Sequence, residues 1–150
     1  ASLYTKNNER YRKQSSGYYP IRNDEEVKIM KLPILMIAEV LEESIPEINW
    51  FVNQIEEEKQ VNPPYPLGRI VELSGDYVDY ASEQPNYLTT SVQVDVWVRD
   101  VQESNKYYFL LDKVMREQGI QCTYTEETQD QDLKEGRRII KRYVLSQRVL

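Results

Sequence analysis

Residues 88–119 read LTTSVQVDVWVRDVQESNKYYFLLDKVMREQG, an alternating segment that runs straight into a helical one. Side chains change sides at every residue of a strand, so Val92, Val94, Val96 and Val98 share one face, and Ser91, Gln93, Asp95, Trp97 and Arg99 share the other. The valine face is core. Trp97 sits among Gln93, Asp95 and Arg99, a setting that suits a large aromatic facing a neighbouring subunit better than one facing water. Asp100 then has the chemistry of a helix N-cap, with Glu103 three residues on to complete a capping box. The following helix places Tyr107, Leu111, Val114 and Met115 on one stripe, and Gly119 supplies the left-handed residue that ends it.

The pattern extends in both directions from this unit. Upstream, a helix is expected from Leu32 or Pro33 through Ile45, closed by Pro46, with Asp24–Lys31 as a separate helical turn. Leu35, Met36, Ile37 and Val40 make that helix apolar over most of its circumference, which calls for packing on more than one side. Ile48–Ile55 reads as a strand, and Glu56–Pro66, with three glutamates and Pro63, Pro64 and Pro66, as a loop. Leu67–Ser74 is a further strand. Gly75–Asn86 reads as a projecting polar loop before the antiparallel return at Leu88.

Downstream, Ile120–Thr125 and Arg138–Arg148 form a closing pair of strands across an acidic turn, Glu126–Gly136. The basic cluster Arg137, Arg138, Lys141 and Arg142 reads partly as a solvated edge that discourages strand pairing and partly as counter-charge for an acidic neighbour. The resulting order predicts an α+β fold, a mostly antiparallel sheet of about five strands with two helices packed on one face. The opposite face then needs a cover.

Residues 1–23 carry five basic side chains against one acidic, a net of +4, and include Tyr4, Tyr11, Tyr18 and Tyr19. They lack apolar periodicity and contain Ser15, Ser16, Gly17 and Pro20, so they read as an extended basic, tyrosine-rich arm placed against a neighbouring subunit. Residues 24–150 form the single α+β domain. That body holds 14 basic and 24 acidic residues, a net of −10 within an overall charge of −6. An acidic body argues against binding a phosphate backbone, which requires Lys and Arg.

Chemistry finds little to work with. There is no histidine, which removes the commonest general base and the Ser-His and Cys-His nucleophile arrangements. None of the 5 glycines falls in a phosphate-cradling pattern. The single Cys122 cannot form an internal disulfide or assemble a usual zinc site; its alternation with Ile120 and Tyr124 makes it a small core filler in a reducing compartment. Glu57-Glu58-Lys59, joined by Asp95, is the only arrangement resembling a metal-dependent nuclease. The acidic run Glu126, Glu127, Asp130 and Asp132 lacks the glycine and terminal glutamate of a calcium loop. The longest apolar stretch, Leu32–Ala38, is far short of a membrane span, and the first residues lack the apolar centre of a secretory signal. The expected protein is no enzyme, with no cofactor and no metal.

The segments PILMIAEVLEESIP, INWFVNQI, PPYPLGRIVEL, SVQVDVWVRD followed by KYYFLLDKVMREQG, and RRIIKRYVL lie in that order between Pro33 and Leu150, about four-fifths of the chain. In order and spacing they resemble the tail terminator, or tail-completion, proteins of long-tailed phages. The resemblance implies a virion structural protein, assembled in the host cytoplasm, whose copies form a ring, usually a hexamer. Such a ring sits on the last tail-tube ring, ends tube growth and meets the head connector, while genomic DNA passes through without specific binding. A head-closure or connector component of the phage neck is the alternative within the same machinery. The basic arm departs from the compact pattern of that family. Gln93, Asp95, Trp97, Arg99 and the four arm tyrosines are the residues expected at subunit or partner contacts.

Overall fold

The computed structural model describes residues 3–6, 9–14, 17–20, 31–81, 84–129 and 136–149, the first three segments by their backbone alone. It divides into two compact units, one within residues 1–31 and one over Leu32–Val149. In the first, β1 (Leu3–Lys6), β2 (Glu9–Gln14) and β3 (Gly17–Pro20) pair in sequence as an antiparallel meander. The arm expected to be extended therefore folds back on itself twice. Tyr4, Tyr11, Tyr18 and Tyr19 lie on these strands, with Tyr4 opposite Tyr11 and Tyr19 opposite Arg12. The expected turn at Asp24–Lys31 falls almost wholly outside the described residues.

The second unit follows the order read from the sequence, with one added element. Helix α1 (Pro33–Ser44) is followed by β4 (Asn49–Val52), a short α2 (Glu57–Val61), β5 (Leu67–Ala81), β6 (Gln84–Val98), α3 (Val101–Glu117), β7 (Gln121–Gln129) and β8 (Arg137–Arg148). The strands form one five-stranded sheet in the order β4-β5-β6-β8-β7. All its pairings are antiparallel except β4 with β5, which run parallel across the crossover at residues 53–66. An α+β fold with a mostly antiparallel sheet is what the pattern predicted.

Local chemistry explains the element ends. Pro33 opens α1 because its fixed φ fits the first turn, and the Ile45 amide closes the helix on the Leu41 carbonyl at 2.8 Å. At α3 the Asp100 carboxylate accepts from the Glu103 amide at 2.9 Å, as the capping-box spacing required. Gly119 has φ 73°, which lets the Ile120 amide reach Met115 O at 3.0 Å and the Gly119 amide reach Arg116 O at 2.9 Å. These two bonds satisfy carbonyls the helix would otherwise leave open.

Two further expectations are corrected in the second unit. Glu56–Pro66 is not wholly loop, because α2 forms before the first proline, with Glu57 and Glu58 in its first turn, where acidic side chains oppose the helix dipole favourably. Most of Gly75–Asn86 is not loop either but strand, 75–81 on β5 and 84–86 on β6. Cross-strand pairing continues from Ser74↔Ser91 to Ala81↔Gln84, so β5 and β6 make one long ribbon, flanked by β8 as far as Tyr87↔Arg148 and projecting past it. Its alternation was masked by exposure on both sides.

The α1 and α3 helices cover one face of the sheet. Ile37 and Leu41 from α1, Leu111 and Met115 from α3, and Ile70, Val92, Val94, Val96 and Ile139 from the sheet are fully buried in one cluster. Each such side chain contributes roughly 1.5–3 kcal/mol by leaving water. Trp50 packs at the edge of this cluster, with its indole N–H donating to Ile45 O at 3.0 Å. The anchored ring lies directly over Gly68: a β-carbon there would stand 2.4 Å from the ring. We expect Gly68→Ala to cost about 1–3 kcal/mol in chemical denaturation, since neither the ring nor the β5 backbone can yield. A neutral result would mean that Trp50 is free to move.

Candidate interaction surface

The second face of the sheet is polar and centres on Asp95, which is fully buried. In the β5-β6-β8 register Asp95 stands opposite Arg69 and Ile140, with Arg138 beside it. Arg69 Nη2 donates to its Oδ2 at 3.1 Å, and Arg138 donates to its Oδ1 through Nη2 at 2.8 Å and Nε at 3.1 Å. Gln93 adds its amide at 3.2 Å and accepts from Arg142 Nε at 3.1 Å. Trp97 is flanked by the Arg69 and Arg138 guanidiniums, 5.3 and 5.2 Å from its ring centre. Arg142 in turn stacks on Tyr124 at 4.8 Å, a favourable cation–π arrangement.

This geometry corrects the interface reading in part. Trp97 is only 9% exposed, and Ile55, Leu67, Phe51 and Tyr65 form its small apolar cluster. The parallel crossover supplies the cover that a neighbouring subunit was expected to provide. Asp95 is likewise consumed within the chain, so it is not available to join Glu57 and Glu58 at a metal ion. Gln93 is half-buried, and Arg99 is exposed beside Glu103 at 3.6 Å. Sequence reading missed Arg69 and Tyr124, because only cross-strand register brings them to this face.

The basic cluster on the last strand is not an edge: β8 lies between β6 and β7. Alternation sends Arg138 and Arg142 to the polar face and Arg137, Ile139, Lys141 and Tyr143 to the helix face. Lys141 is fully buried there, with Nζ 2.8 Å from Asp112 Oδ2 and 3.5 Å from the Tyr108 ring centre. The Tyr143 hydroxyl donates to Asp112 Oδ1 at 2.8 Å, and Thr125 donates to the Tyr108 hydroxyl at 2.7 Å. Burial, reinforced by Asp112, pushes the Tyr143 hydroxyl far above its ordinary range, so it stays protonated. Burial also raises the Cys122 thiol, again with Asp112 adding to it, and the residue packs half-buried against the core as expected. The cluster fastens α3 to the sheet.

Glu127 makes a second fastening. It accepts from Arg137, through Nη2 at 2.7 Å, and from the Ser104 hydroxyl at 3.0 Å, joining β7, β8 and the start of α3. Arg137 holds this carboxyl below the usual range, against the upward push of burial and with help from Ser104. Among the described residues no group of three or more Cys, Asp or Glu could hold a metal ion, and no helix is long and apolar enough to cross a membrane. The described part of the acidic run, Glu126 and Glu127, is engaged by Tyr124, Ser104 and Arg137. Asp130 and Asp132 lie outside the described residues.

Two measurements test these assignments. Asp95→Ala and Trp97→Ala should each lower folding stability by about 3 kcal/mol in urea, the first by stranding two guanidiniums and the second by opening a cavity. A variant that unfolds like the parent but associates less would restore Trp97 to an interface. A lowered carboxyl pKa stabilises the fold above the unfolded value and loses that effect as pH falls through the folded one. The parent should therefore lose stability from pH 4.5 downward, and Glu127→Gln should flatten that loss by less than about 1 kcal/mol. An unchanged acid profile would show that the pair contributes nothing. No family model matches this chain, and no curated protein matches it.

Proposed function

We propose that this chain is a virion structural subunit whose copies close into a ring, a hexamer, that ends the tail tube of a long-tailed phage and joins it to the head connector. The observation that carries the reading is the succession of segments from Pro33 to Leu150, in the order and spacing of the tail terminators. The α+β sheet with both long helices on one face agrees with it, as does the absence of histidine and of a phosphate-cradling glycine pattern. A net charge of −10 over residues 24–150 suits a channel through which DNA slides, because like charge suppresses contact with phosphates. Tail-tube protein and the connector are the proposed partners, and the virion neck is the proposed location.

Light scattering on the purified chain provides the first test, since a ring has a mass several times the 17.9 kDa of one copy. Adding the chain to polymerising tail-tube protein provides the second. Tubes should stop growing with the chain bound at one end. Tubes that lengthen unchecked while the chain binds connector protein would instead make it a head-closure component, and a monomer at every concentration would end the ring reading.

A further inference from the structure

The outer part of the β5-β6 ribbon, flanked by β8 as far as Tyr87↔Arg148, adds little to the core beyond the buried Thr90, yet it carries unusual side chains. Its described residues on β5 and β6 include Glu72, Asp76 and Asp79 and no Lys or Arg, and β8 brings one cation alongside, Arg148 opposite Tyr87. Tyr77, Tyr80 and Tyr87 are 54%, 63% and 40% exposed. Tyr77 stands opposite Leu88 and Val78 opposite Tyr87, and adjacent pairs face opposite sides, so the ribbon offers apolar surface in both directions. One sheet cannot bury both.

The polar face described above has the complementary character. Arg142 is exposed and has no carboxylate partner among the described residues, while Arg69 and Arg138 keep 31% and 29% of their side chains accessible. The carboxylate between those two is fully buried, so guanidinium edges are what this part of the face shows to solvent. Half-buried Val71, Ile140 and Val144 lie among them. This face already stacks arginine on aromatic rings at Trp97 and Tyr124, an arrangement that further tyrosines would extend.

We infer that the acidic, tyrosine-bearing ribbon of one copy docks on the arginine-bearing sheet face of another copy. The contact cannot form within one molecule. The ribbon is continuous with the same sheet, and bending it onto its own face would break the ladder from Ser74↔Ser91 to Ala81↔Gln84. Charge selects the occupant: acidic bodies repel one another, and this is a place where an acidic element of one copy meets guanidiniums of the next. The contact joins two different surfaces, so it propagates head to tail and closes if the rotation per copy allows. The inference rests on the ring reading only in requiring that copies of this chain associate.

Charge reversal tests it by sedimentation and light scattering on the whole chain. Asp76→Lys and Arg142→Glu, both at exposed positions, should each weaken association about tenfold or more, and the double variant should regain much of it. Tyr80→Ser should weaken association without altering charge. Circular dichroism identical to the parent's would show that each variant is folded. If the parent assembles and the single variants assemble equally well, or the double variant fails to recover, the ribbon-to-face pairing is wrong and the ring reading stands. A parent that remains monomeric at all concentrations removes both.

Discussion

The Asp95 carboxylate sets the constraint on which the sheet is built. A buried, unpartnered charge costs several kcal/mol, so β6 can place Asp95 at its centre only if both neighbouring strands bring cations to it. Arg69 comes from β5 and Arg138 from β8. Slipping β5 by one residue would set Gly68 or Ile70 opposite Asp95 and swing Arg69 into the valine core. The ion pairs therefore act chiefly as a register lock: burial of the valines supplies the stabilisation, and Asp95 decides which of several apolar alignments is allowed.

A parallel constraint operates on the other face. Lys141 lies among apolar side chains where a bare ammonium would be prohibitive, and Asp112 on α3 answers it while also accepting from Tyr143. The pairing fixes α3 along its axis, as Glu127 with Ser104 and Arg137 fixes its first turn. Each helix-face charge sits where displacement of α3 would strand it. The apolar stripe of Leu111 and Met115 alone would tolerate such a shift.

The element order was legible because each element carries its own local signal: valines at period two, the Asp100–Glu103 box, Gly119, and the prolines around α1. What was not legible depended on register. Arg137, Arg138, Lys141 and Arg142 look like one basic cluster along the chain, and only the central place of β8 divides them between a buried ion pair and a guanidinium face. Trp97 was read as an interface residue because alternation reveals the side it faces but not what covers that side; the cover comes from Ile55 and Tyr65, outside any strand. The ribbon escaped for the opposite reason: with Tyr77 and Tyr87 on different sides and Asp76 and Asp79 near them, it has no polar face to contrast with an apolar one. The eight residues expected at contacts fared unequally: Asp95 and Trp97 are spent inside the chain, whereas Arg99 stays exposed.

That same two-sidedness bears on how copies of the chain would recognise one another. Beyond Ile70, β5 has no strand partner on its outer side among the described residues, and such an edge invites indiscriminate pairing. The ladder shifts register between Glu72 and Ser74, and the β5 edge carries Glu72, Asp76 and Asp79 and no cation there. Both features discourage a second ribbon from adding to this edge, because like charges would be brought side by side and the backbone is locally out of step. They do not discourage a guanidinium surface. An edge that repels its own kind while its tyrosines favour arginine disfavours the two-fold pairing of edge with edge and favours a contact between unlike surfaces, the type of the two from which a ring of more than two copies can be made.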